Sequence, residues 1–135
     1  MLRSFARIFA PLVVFAAACS DSTEPGENRL SGVYNAVSVD GQPLPHAFGS
    51  GTTLLSYRIE LRDDGTYDLE FHRRFPDQTE VETADTGEYT YDAGSGAISF
   101  QGAIPGVLHA TVTDGGDTMT LSPADIGGSV VVLTR

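Results

Sequence analysis

From residue 55 onward the chain alternates apolar and polar side chains with a period of two, the pattern of strands that bury one face. In the stretch LSYRIEL, Leu55, Tyr57, Ile59 and Leu61 share one face while Arg58, Glu60 and Arg62 take the other. Asp63-Asp64-Gly65 reads as a hairpin turn with glycine where a positive φ is needed. Past that turn, Tyr67, Leu69 and Phe71 continue the apolar face, with Asp68, Glu70 and His72 opposite. The same phase crosses PDQ into a long strand, 79 to 92, whose inward positions include Val81, Tyr89 and Tyr91, with Gly87 as an expected kink. Across AGSG, Ile98 and Phe100 fall opposite Tyr91 and Tyr89. Leu108, Ala110 and Val112 follow after GAIPG, then Met119 and Leu121 after DGGD. A first strand near 31 to 39 and a last near 129 to 134 bring the number to eight. In the last, SVVVLT, the phase is ambiguous, and no helix is expected after residue 28.

Eight short antiparallel strands joined by tight turns predict an all-β fold, either an up-and-down barrel or a two-sheet sandwich. The only long connection expected, DGQPLPHAFGSGTT, lies between the first two strands, which favours the barrel. Three segments carry a family likeness: LSGVYNAVSVDGQPLP at the start, DTGEYTYDAGSGAISF in the middle and the closing VVVLTR. With them the chain resembles the lipocalin-like domains of bacterial lipoproteins over nearly all of residues 30 to 135. The resemblance implies an eight-stranded antiparallel up-and-down barrel that binds a small hydrophobic ligand. In lipocalins a G-x-W motif near the start sets an aromatic ring across the barrel base under a basic residue from the last strand. The matching positions are Gly32, Val33 and Tyr34, tyrosine standing in for tryptophan, with Arg135 as the basic partner.

The front of the chain reads as an export signal. Arg3 and Arg7 form a positive n-region and IFAPLVVFAAA an apolar h-region. Those eleven residues are too few for a membrane-spanning helix, which needs about 20. Ala16, Ala17 and Ala18 satisfy an ordinary A-x-A cleavage rule, which would leave a free thiol at Cys19. AAAC also resembles a lipoprotein lipobox, with alanine where leucine is usual. On that reading residues 1–18 are removed and Cys19, the only cysteine, carries the lipid. No second cysteine is present to pair with it in an oxidising compartment. The polar stretch SDSTEPGEN behind it cannot bury enough apolar surface to fold and suits a tether, 19–28. More than one acyl chain is needed for durable anchoring, which the triacylated cysteine of such lipoproteins supplies. Ser20 after the cysteine resembles an outer-membrane sorting signal. The expected localisation is therefore extracytoplasmic, on the outer membrane.

What remains is one domain of about 107 residues, 29–135, enough for one core. All eighteen acidic residues lie behind the signal with six of the eight basic ones, all arginines, for a net charge of about −12. An acidic, lysine-free surface argues against nucleic acid and against electrostatic docking on anionic lipid.

An eight-stranded barrel is either filled by side chains or encloses one small ligand. The large inward residues allow both. Tyr57, Tyr67, Phe71, Tyr89, Tyr91 and Phe100, with Leu55, Ile59, Leu61, Leu69 and Val81, would fill it; the six aromatics would also line a pocket. The phase turns Arg73 inward between Phe71 and Phe75, with Thr83 and Asp85 on the next strand. Arg73 either reaches water at the barrel end or meets the acidic head of a lipophilic molecule under a lid formed by residues 40–52. The same loop, stiffened by two prolines, would also suit an inhibitor. A packed barrel acting as an interaction module for an envelope protein is the alternative to a ligand carrier. His46, His72 and His109 have no zinc-ligand spacing. Asp63 and Asp64 sit in a solvated turn, and no nucleophile or phosphate-cradling motif is present. No enzymatic activity, metal or cofactor is expected.

Overall fold

The computed structural model describes residues 30–135. The expected signal peptide, Cys19 and the tether lie outside the described residues, as does Arg29, where the sequence places the start of the domain. The strands are β1 (Gly32–Val39), β2 (Gln42–Pro43), β3 (His46–Ala47), β4 (Thr53–Leu61), β5 (Thr66–Arg74), β6 (Glu80–Asp92), β7 (Ala97–Gly102), β8 (Leu108–Thr113), β9 (Thr118–Leu121) and β10 (Val131–Thr134). From β4 to β10 each strand pairs antiparallel with the next. β10 returns to β1 and β1 pairs with β4, which closes an eight-stranded up-and-down barrel. The short β2 and β3 are not staves of the barrel. They fold the connection after β1 back onto β1 and β4.

The turns follow from local chemistry. Arg62 and Thr66 bracket a three-residue hairpin loop in which Gly65 adopts φ +83° and Asp64 Oδ1 accepts the Thr66 N–H at 3.0 Å. The next hairpin repeats the device, with Gln78 in the left-handed region at φ 69° and Asp77 accepting the Thr79 N–H at 2.9 Å. Both have the form of a turn closed by one left-handed residue, which suits the twist of the strands they join.

The inward phase holds around the barrel, with two corrections. A β-bulge lies between Leu54 and Ser56, so Leu54 is the residue buried inside and Leu55 is displaced from the inward set. A bulge adds one residue to one strand and resets its alternation, and no turn residue marks it in the sequence. Val81 keeps the inward phase yet is 37% exposed, because it lies at the rim of the barrel. The ambiguous last strand buries Val131 and Leu133. A second long connection, 122–130, joins β9 to β10 through a short 3-10 turn, Pro123–Asp125.

The two ends of the barrel differ. At the end carrying the β4–β5, β6–β7 and β8–β9 turns, Tyr34 lies under Arg135, whose guanidinium carbon is 5.9 Å from the ring centroid. The Tyr34 hydroxyl donates to the carbonyl oxygens of Gly116 at 2.6 Å and Leu30 at 3.0 Å. Arg135 donates to Ser31 O at 3.1 Å and pairs with Asp117 at 2.8 Å. Ile59, Leu61, Ile98, Met119 and Leu133 fill the space above Tyr34. This end is closed and packed.

Gly87 sits where β6 gains a second neighbour. Residues 80–88 pair with β5, but only 87–92 pair with β7, so on that side the backbone of 80–86 has no strand partner. The register runs through Gly87 without interruption, so the expected kink is replaced by a closer approach. A Cβ there would overlap the Gln101 carbonyl and the Gly102 backbone. Gly87→Ala is expected to cost on the order of 2–3 kcal/mol, the upper range for overpacking, read as a lower urea midpoint with an unchanged slope.

Candidate functional site

The opposite end of the barrel is not filled. A cavity of about 630 Å³ occupies it, inside the roughly 300–1,000 Å³ range of sites that take drug-sized ligands. Its walls are aromatic. Tyr57 on β4 and Phe71 on β5 stack at 5.5 Å, nearly parallel, and Tyr67 meets Phe100 on β7 edge to face at 5.0 Å. Phe48, carried by the connection after β3, comes over the open end and joins the lining.

Arg73 stands at the mouth. Its guanidinium carbon lies 4.8 Å from the Phe71 ring centroid and 5.6 Å from that of Phe75. The Nε atom is buried and has no hydrogen-bond partner. Arg58, Arg62 and Arg135 are held by Glu60, Asp68 and Asp117 respectively. Among the described residues, the two arginines without a carboxylate partner are Arg73 and Arg74, neighbours at the open end of this acidic domain. A buried, unpartnered donor on a cation is costly, and an anion in the cavity would relieve that cost.

Deeper in, Asp85 is 8% exposed and accepts from the Tyr67 hydroxyl at 2.9 Å through Oδ2. Its Oδ1 accepts the backbone N–H groups of Ala103 at 2.9 Å and Ile104 at 3.2 Å. Asp85 thereby ties the 103–107 loop to β6 where β7 ends and strand pairing fails. Gly102 makes room for the pair, since a Cβ there would overlap both Asp85 Oδ2 and the Tyr67 hydroxyl oxygen. On the far wall the Pro123–Asp125 turn brings Asp125 and Ile126 to the lining. Asp125 Oδ2 accepts the His109 backbone N–H and meets its ring Nδ1, both at 2.9 Å. The His109 ring is the first cause that holds the Asp125 carboxyl below the usual carboxylate range.

Burial pushes the phenols of Tyr57, Tyr67 and Tyr34 up, with Asp85 adding to the effect at Tyr67 and Tyr57. An acid whose folded pKa is raised contributes stability that is complete below its unfolded pKa, about 10 for tyrosine, and lost as pH rises above it. The domain is therefore expected to weaken above pH ~10. Phenolate absorbance should show the phenols of Tyr34, Tyr57 and Tyr67 ionising above the ordinary tyrosine range.

Of the seven residues that the sequence singles out as candidates, five meet in the cavity lining: Tyr57, Tyr67, Phe71, Arg73 and Phe100. Tyr89 and Tyr91 point inward but lie toward the closed end, outside the lining. The Tyr89 hydroxyl donates to Arg62 O at 2.8 Å, and Tyr91 packs against the core. The period of two gives the face a side chain takes, not its height along a strand that crosses the whole barrel. Phe48, Leu54 and Ile126 are lining residues that the alternation missed, the first and last because they lie in connections. His72 meets Glu80 at 3.3 Å and His46 packs edge-on to Phe48 at 5.0 Å. Among the described residues no three His, Cys, Asp or Glu side chains cluster as metal ligands, and no helix is long and apolar enough to cross a membrane.

Fold and site together define a closed antiparallel barrel with one packed end and one open, aromatic-walled cup. No protein-family model matches the chain, and no curated protein matches it in sequence.

Proposed function

We propose that this chain is a lipid-anchored extracytoplasmic lipoprotein whose lipocalin-like barrel binds one small hydrophobic molecule with an acidic head. The observation that carries the binding reading is the pairing of an aromatic cavity with Arg73 at its mouth, whose buried Nε has no hydrogen-bond partner. A pocket of apolar walls with a few convergent polar groups is the usual form of a small-molecule site. Anchoring rests on Cys19 and the signal before it. Cys19→Ser is expected to move the protein from the membrane fraction to the soluble one; a processed, membrane-bound variant would overturn that part.

Binding is tested by native mass spectrometry of the purified protein after exposure to a lipid extract. An adduct of a few hundred daltons is expected. A bare mass under the same conditions would favour the alternative, an interaction module for an envelope protein. One observation speaks for that alternative: the β6 backbone is open along residues 80–86, beside the exposed Val81, Ile104 and Val107. A partner strand adds to such an edge through main-chain hydrogen bonds.

A further inference from the structure

Besides Asp125, which is engaged with His109 on the far wall, the cavity carries two charged side chains of opposite sign at different levels. Arg73 is paired across the sheet with Val81, and Asp85 with Leu69. Four residues of strand, about 13 Å at the usual rise, separate the levels of the cation and the carboxylate. Between them lies the stacked ring pair of Phe71 and Tyr57, and Leu69 stands opposite Asp85. Asp85 uses three acceptor positions, for the Tyr67 hydroxyl and the Ala103 and Ile104 N–H groups. An ionised carboxylate has about four. Because residue 102 is glycine, no side chain intervenes from β7 at this pair, and Gly102 itself belongs to the lining.

Resting on the reading that the cup binds an acidic hydrophobic molecule, we propose that its preferred ligand is a two-ended amphiphile. It is a monoacid whose far end carries a hydroxyl, the acid seated on Arg73 and the hydroxyl donating to Asp85 beside Tyr67. The carboxylate at depth has two consequences. It repels an acidic head that enters the wrong way round, so the ligand orients with its charge at the mouth. It also leaves an acceptor that a plain hydrocarbon tail covers without satisfying, which is unfavourable for a buried polar group. A hydroxyl in the same place makes the bond. Without that acceptor the order would reverse, because a buried hydroxyl lacking a partner is itself penalised. The sign of the preference is therefore decisive.

The test is calorimetric titration of the purified protein with octanoic, decanoic and dodecanoic acids, their ω-hydroxy forms, and the ω-methyl ethers of those forms. At the best-fitting length the ω-hydroxy acid is expected to bind about tenfold more tightly than the plain acid, the value of one hydrogen bond to a charged acceptor. The methyl ether, which cannot donate, should bind no better than the plain acid. Asp85→Asn, which exchanges the charged acceptor for a neutral amide, should shrink the advantage of the hydroxy acid over the plain acid severalfold. If that variant does not fold, the ether comparison on the unaltered protein decides. Plain acids that bind as well as or better than hydroxy acids at every length would overturn the two-ended ligand and leave the acid seat standing. Failure of all the acids to bind would remove the acid-binding reading and this proposal with it.

Discussion

Tyr34→Ala is expected to lower the melting temperature of the protein by about 15–25 °C. Tyr34 is fully buried at the closed end, and truncating a buried aromatic typically costs about 3–5 kcal/mol through lost transfer energy and the void left behind. For a domain of this size each kcal/mol is worth roughly 4–8 °C. Three groups also lose their organiser. The carbonyls of Gly116 and Leu30 lose a donor, and the Arg135 guanidinium loses the ring beneath it. The contributions separate by variant. Tyr34→Phe keeps the ring and removes the hydroxyl, so it should cost about 1 kcal/mol. Arg135→Ala removes the cation–π contact and its bonds to Ser31 and Asp117, and should fall between the two. Gly32 belongs to the same closure. Its φ of +145° disfavours any other residue, and a Cβ there would run into the Arg135 side chain. Circular dichroism melts of these variants give the ranking directly. If Tyr34→Ala melts within a few degrees of the unaltered protein, the closed end is not what holds the barrel together.

Much of this architecture is legible in the sequence because a barrel stave has one inside and one outside. Leu61, Tyr67, Leu69, Ile98, Phe100, Met119 and Leu121 all follow from carrying one phase through successive hairpins, and all are buried. The pairing of Tyr34 with Arg135 is legible for a different reason, as a likeness to the lipocalin base. Where the alternation misleads, the cause is geometric. The bulge at Leu55 shifts the phase by one residue without a sequence mark, and Leu54 takes the inward place. Tyr89 and Tyr91 face inward but at the packed end, because the mismatch in length between β6 and β7 sets their height and only the folded barrel reveals it. The existence of a cavity is not legible in the sequence at all. Aromatics at period two can fill a barrel or line one, and what decides here is the distribution along the axis. Tyr34, Ile59, Leu61 and Met119 crowd one end, while the other is covered by connections that contribute Phe48 and Ile126 in place of a layer of strand side chains. The phase marks Asp85 as an inward carboxylate, but its tie to the 103–107 loop depends on β7 ending at Gly102, which no sequence pattern marks.

Arg73→Met is expected to separate stability from binding. Methionine preserves much of the apolar bulk of the arginine stem against Phe71 and Phe75 and removes a charged group whose Nε has no hydrogen-bond partner. Replacing such a group by an apolar one of similar volume is often neutral or stabilising, so the ligand-free variant should melt at the same temperature or slightly above. Binding of an acidic ligand should fall about 10- to 100-fold, the equivalent of roughly 1.5–3 kcal/mol for hydrogen bonds to a charged group. Arg73→Lys should retain only part of the affinity, because an ammonium cannot present the planar fork of donors that matches a carboxylate. A purely structural arginine, present to cover the aromatic rings with its stem, gives the opposite result: a lower melting temperature and unchanged affinity. Melting the variants with and without a plain fatty acid distinguishes the cases in one experiment, since a ligand that binds the native state raises its melting temperature in proportion to occupancy. Natural proteins concentrate locally unfavourable groups where function needs them. Among the described arginines, Arg73 is the one that combines an inward direction, a buried donor without a partner and a place at the mouth of the cavity.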